Sequence, residues 1–95
     1  MPASGDAIDR AKVDVSAGDI ARARVRLRGY LVNRPTSREA RLLLADLYRR
    51  DGHSDEAGRW GYLYPDSTAA GERAAYERAC AHRLGGGWTN TYIRR

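Results

Sequence analysis

The chain has 95 residues and a net charge of +5, which is room for one core and excludes a cofactor domain paired with a substrate domain. Apolar residues make up 42% of it, but 15 of them are alanine and Phe is absent, so the core is built from small side chains. Such a core favours closely packed helices over a sheet and predicts an all-α fold. Cys80 is the single cysteine, so an intramolecular disulfide is excluded. No apolar run is long enough to cross a membrane, and Met1–Asp6 has neither the basic nor the apolar segment of a leader. The expectation is a cytoplasmic protein.

Punctuation divides the chain into five predicted helices. The first runs from about Asp6 to Ala17, with Ser4 or Asp6 as cap, Ile8, Ala11 and Val15 on one face, and Gly18 as its stop. Asp19 caps the second, where Ala23, Leu27, Tyr30 and Leu31 recur at helical spacing until Asn33-Arg34-Pro35 ends it. Thr36-Ser37-Arg38-Glu39 reads as a capping box with Thr36 as the cap. The third helix carries Ala40, Leu43, Leu44, Leu47 and Tyr48 and stops at Asp51-Gly52. Ser54 caps the fourth, whose predicted face is Ala57, Trp60, Leu63 and Tyr64, with Pro65 as terminator. The fifth is predicted from about Ser67 to Leu84, with Ala69, Tyr76, Cys80 and Leu84 on one side. Gly85-Gly86-Gly87 then opens a Gly-rich basic and aromatic tail over 85–95, expected to be flexible, in which Trp88 and Tyr92 are candidates for packing, dimerisation or a linear motif.

Ala11, Gly18 and Ala23 recur as Ala45, Gly52 and Ala57, each displaced by 34 residues. Each Gly falls at an inter-helix turn and each Ala where the second helix must approach the first. This period resembles the tetratricopeptide repeat. Ala11, Gly18, Ala23, Leu27, Tyr30 and Pro35 match its spacing in one unit, and Ala45, Tyr48, Gly52 and Ala57 match in the next. Asp14 stands where an aromatic belongs, and Pro65 ends the second unit early. The segments Leu44–Gly52, Ala57–Leu63 and Glu72–Cys80 are also similar to a group of small actinobacterial proteins, a domain of unknown function with helices of the same kind. The resemblance implies two stacked helix pairs plus a capping helix over residues 1–84, a right-handed superhelical fragment.

Chemistry is sparse. His53 and His82 have no ligand partners at metal spacing, and one Cys with two separated His does not supply the roughly four ligands of a zinc site. No metal, cofactor or catalytic residue is expected. Cys80 falls on an apolar helix face beside Tyr76 and reads as core. Trp60, in phase with Ala57, also reads as core, whereas Tyr62, out of phase, is expected to be exposed.

The resemblance places the first helix of each pair on a concave groove. That points to Ile8, Lys12 and Val15, to Glu39, Leu42, Asp46, Arg49 and Arg50, and to Arg73 and Tyr76 as a surface for a peptide or helix. The function implied is a non-catalytic protein-interaction module, with self-association as a further expectation. The alternative is a nucleic-acid-associated protein using Arg22, Arg24, Arg26 and Arg28 of the second helix. Residues 21–34 carry +5, but alternate positions splay around a helix, with Arg22 and Arg26 on one flank and Arg24 and Arg28 on another. That splay suits arginine stems bracketing a buried seam.

Overall fold

The structure is a computed structural model that describes residues 3–84; the expectations placed on 85–95, including Trp88 and Tyr92, lie outside them. Those residues form five α-helices and no strand: α1 (Ala3–Ser16), α2 (Ile20–Asn33), α3 (Arg38–Arg50), α4 (Ser54–Gly61) and α5 (Ala70–Leu84), with a 3₁₀ turn at Pro65–Ser67. The all-α expectation holds.

The principal packing is between consecutive helices. The core is correspondingly a seam that follows the chain. Ile8 and Ala11 of α1, Ala23, Leu27 and Leu31 of α2, Ala40, Leu44, Ala45, Leu47 and Tyr48 of α3, and Ala57 of α4 are buried, with Val15, Tyr30, Leu43 and Trp60 packed against them. In α1, α2 and α3 the helical faces read from the spacing of Ala and Leu are the ones that pack.

The 34-residue displacement is written in the backbone. After α1, Asp19 N–H donates to the Asp14 carbonyl at 2.8 Å and Gly18 N–H to that of Val15 at 3.0 Å. After α3, His53 N–H donates to the Tyr48 carbonyl and Gly52 N–H to that of Arg49, both at 3.0 Å. These are two copies of one Schellman turn, and each needs a residue with positive φ, met by Gly18 at +85° and Gly52 at +81°. Asp19 then accepts from the Arg22 amide and caps α2, as its position predicts.

Four helix starts differ from expectation. α1 begins at Ala3, so Ser4 and Asp6 lie inside it; no apolar residue marks its first turn in the sequence. The cap of α3 is Ser37, accepting from the Ala40 amide, and Thr36 instead presents its carbonyl to the Tyr64 hydroxyl. Glu39 closes no capping box because its carboxylate pairs with Lys12 of α1 at 3.1 Å. His53, not Ser54, occupies the cap position of α4, and no side chain caps that end. α5 starts at Ala70, leaving Ser67 in the 3₁₀ turn and Ala69 exposed ahead of the helix.

The largest departure is the end of α4. The helix stops at Gly61, so Leu63 lies outside it and is 50% exposed, and Tyr64 leaves the expected face. What packs there is glycine. A Cβ on Gly58 would overlap the Glu72 carbonyl oxygen and fall 2.6 Å from its carbon and 3.0 Å from Tyr76 Cβ. A Cβ on Gly61 would overlap the Thr68 hydroxyl, which is buried and donates to the Gly61 carbonyl at 2.7 Å. The bare backbone of α4 is thus the floor on which α5 rests. The residue 34 positions before Gly58 is Arg24, whose side chain fills the corresponding place between α2 and α3.

Gly29 provides the contrast, because it is exposed in α2 with no atom within 4 Å of a built Cβ. Gly29→Ala is expected to raise stability by about 0.5–1 kcal/mol, and Gly58→Ala to lower it by about 1–3 kcal/mol or more. Urea denaturation of both variants checks the opposite signs.

Candidate functional site

α3 carries most of the residues that sequence reasoning singles out, and its charged row is held by ion pairs to both neighbouring odd-numbered helices. Glu39, in the first turn, takes Lys12 of α1. Asp46 takes Arg49 and Arg50 one turn on, both at 3.2 Å. Arg49 also reaches Glu72 of α5 in a two-pronged pair, with Nε 2.5 Å and Nη2 2.9 Å from the two carboxylate oxygens. The row therefore bridges α1, α3 and α5.

Its members differ in what they leave available. Glu39, Arg49 and Arg50 are exposed, and Leu42, Asp46 and Tyr76 are half-buried. Tyr76 sits edge-on to Tyr62, with ring centroids 5.4 Å apart. Tyr62, expected to be exposed, is half-buried because Arg73 also lies 4.2 Å from its ring centroid and its hydroxyl donates to Glu77. That acceptor raises the Tyr62 pKa above the ordinary phenol value. Ile8, placed on the groove by the resemblance, is a core residue, 6% exposed.

The arginines of α2 are each engaged within the fold. Arg22 pairs with Asp19, the cap of its own helix, at 3.6 Å, and Arg26 donates to Asp14 of α1 at 2.8 Å. Arg24 donates to Asp51 at 2.6 Å and lies over the Tyr48 ring, while Arg28 donates to the Tyr48 hydroxyl at 2.8 Å, both toward α3. The expected flank of Arg24 and Arg28 faces α3, whereas of the other flank only Arg26 reaches α1. Asp14, where the repeat pattern wants an aromatic, is buried, and it and Arg26 occupy the positions that Tyr48 and Trp60 hold 34 residues later. An ion pair in the first unit stands in place of two rings in the second.

A third surface escaped sequence reasoning. Where α3 begins and α4 ends, Arg41 donates to three carbonyls, those of Trp60 at 2.9 Å, Pro35 at 2.7 Å and Arg59 at 3.3 Å. Burial lowers its pKa, and the guanidinium spends its charge on backbone oxygens. Around it, Arg34 lies over Tyr30, Arg38 over Tyr64 and Arg59 over Trp60, at 4.8–5.3 Å from the ring centroids. Arg38 also donates to Ser67 at 2.7 Å, which ties this end to the 3₁₀ turn. Only the i, i+4 spacing of Arg34 and Arg38 about a proline hinted at it, and the rings come from elsewhere in the chain.

Among the described residues no group of His, Cys, Asp and Glu is arranged to hold a metal ion, and no enclosed pocket forms. His53 is exposed in its turn, 6.1 Å from the Tyr48 ring, and Cys80 is half-buried on α5. No helix there is long and apolar enough to cross a membrane.

The Arg49 and Glu72 pair sets a pH dependence. The hydrogen bonds from Arg49 hold the Glu72 carboxyl below the usual carboxylate range, against the opposing effect of burial. A carboxylate depressed on folding stabilises the fold above its unfolded pKa, and that contribution disappears as pH falls through the folded value. Glu72→Gln is expected to cost about 1 kcal/mol at neutral pH, because water screens the exposed side of Arg49, and the difference from the parent should close in acid. Urea midpoints measured from neutral pH down through the carboxylate range check both halves.

No curated protein and no solved structure matches the chain. A family model, described as a family of unknown function (DUF6584), matches residues 3–85 and so spans all five helices and the packing between them. The chain, with its seam of small residues and its cross-linked third helix, belongs to that family.

Proposed function

We propose that this protein is a non-catalytic interaction module, a short stack of tetratricopeptide-like helix pairs that binds a protein or peptide along α3. The observation that carries this reading is the form of the packing. Consecutive helices pack on one another, so α3 lies in the middle of the stack with a side turned outward. The surface on that side combines Glu39, Asp46, Arg49 and Arg50 with the half-buried Leu42 and Tyr76, a mixture suited to a partner segment bearing both signs of charge. Self-association belongs to the same reading: Val13, Val25 and Val32 expose 61–77% of their surfaces on α1 and α2. Of the arginines that the nucleic-acid alternative draws on, Arg24 and Arg26 are half-buried against neighbouring helices, which leaves Arg22 and Arg28 as its exposed members.

The test is a pull-down from cell lysate with the intact chain, with the chain ended after Leu84, and with Glu39→Lys/Arg50→Glu, each with and without nuclease. A nuclease-resistant protein held by the first two and weakened by the double variant is the expected result. Loss of every partner to nuclease would move the active surface to Arg22, Arg24, Arg26 and Arg28. Sedimentation addresses self-association separately, and a monomer at high concentration removes it.

A further inference from the structure

We infer that the end of the stack bearing Arg34, Arg38 and Arg59 is an anchoring site for an acidic polypeptide segment with closely spaced carboxylates. The inference rests on the interaction-module reading and specifies the chemistry of the partner and where it is first held.

Most arginines of this protein that point toward a neighbouring helix end on a carboxylate or a tyrosine hydroxyl, as Arg24, Arg26, Arg28 and Arg49 do. At this end Arg34 and Arg38 have no carboxylate partner among the described residues, and Arg59 has only Glu56 of its own helix. Arg34, Arg38 and Arg59 lie over Tyr30, Tyr64 and Trp60. A guanidinium over a ring is attracted to the ring's face while its N–H groups remain available to an acceptor. Arg34 is exposed at the end of α2, and its guanidinium makes no hydrogen bond among the described residues. Arg38 is exposed too and gives one nitrogen to Ser67, keeping its other donors. Arg59 has a longer contact, 3.5 Å, to Glu56.

The three arginines belong to one surface. The Ser37 amide donates to the Arg34 carbonyl, Arg38 follows Ser37, and Arg41 ties Pro35 to the carbonyls of Arg59 and Trp60. α3 begins at this surface while α2 and α4 end at it, so the helix dipoles oppose one another and the positive charge there is that of the arginines. The nearby carboxylates are Asp66 in the 3₁₀ turn, Glu56 beside Arg59, and Glu39, which is held by Lys12. A carboxylate-bearing segment meets pre-oriented forks at low entropic cost, which is the arrangement that favours bidentate pairing.

A polypeptide fits this surface better than a nucleic acid. Single-stranded nucleic acid uses open aromatic faces for stacking bases, and here each of the three rings has an arginine over it. A duplex needs a run of unpaired cations, and the adjoining arginines of α2 have partners within the fold.

The test uses the full chain and a fluorescein-labelled oligo-glutamate peptide, read by anisotropy. Arg34→Gln/Arg38→Gln is expected to weaken binding about tenfold or more, whereas Arg22→Gln/Arg78→Gln, which removes the same charge elsewhere, leaves it within about twofold. Unchanged circular dichroism and melting of the first variant show that the fold is intact. Absence of oligo-glutamate binding, equal loss in the two variants, or equally tight binding of an oligo-thymidine strand through Arg34 and Arg38 would each overturn the inference. In the lysate experiment, a nuclease-resistant partner retained in full by Arg34→Gln/Arg38→Gln overturns this anchor and leaves the module reading standing. Loss of all partners to nuclease overturns the module reading itself.

Discussion

The contact on which both candidate surfaces depend is the approach of α5 to the bare backbone of α4. Gly58 admits the Glu72 carbonyl and Gly61 admits the Thr68 side chain. With Glu72 seated, its carboxylate reaches Arg49 on α3, and Tyr76, one turn on, meets Tyr62. With Thr68 seated, its hydroxyl holds the carbonyls of Gly61 and Tyr64, and the intervening segment brings Tyr64 and Ser67 under Arg38. Two missing methyl groups therefore govern geometry at both ends of α3. Overpacked cores pay in strain because interiors are dense, and backbone cannot yield as a flexible side chain can.

How much of this was legible follows from the range of each interaction. Gly18, Asp19 and Gly52 act within their own turns, so their roles were readable from neighbouring residues alone. The seam of Ala and Leu was readable because one helical period reports one face. Gly58 and Gly61 were not, since glycine inside a helix carries only a local penalty in the sequence and its benefit lies on another helix. Ser37 and Thr36 are both good caps by residue type, and the choice of Ser37 was not readable from that alone. The pairs from Lys12 to Glu39 and from Arg49 to Glu72 join helices two apart, and no local pattern encodes them.

Charge shows the same division between composition and placement. The excess of +5 over residues 21–34 draws attention to α2, yet Arg24 and Arg26 are drawn in against acidic or aromatic partners and retain only 21% and 29% of their side-chain exposure. Residues 35–84 are neutral in sum, yet that segment holds Arg38 and Arg41, whose contacts are hydroxyl, carbonyl and ring rather than carboxylate. A guanidinium over a ring keeps its full charge, so a segment that is neutral in sum still presents fixed cations at particular places.

The line of consecutive helix contacts also governs how the chain folds and how damage spreads through it. Contacts between neighbours in sequence close short loops, a topology associated with rapid folding and with nucleation at more than one place. A lesion in α1 has one principal interface to disturb, and the helices beyond α2 can keep theirs. A lesion in α3 touches two interfaces together with the pairs that reach α1 and α5. Tolerance to sequence drift should therefore be graded along the molecule, greatest at its first helix and least at its centre.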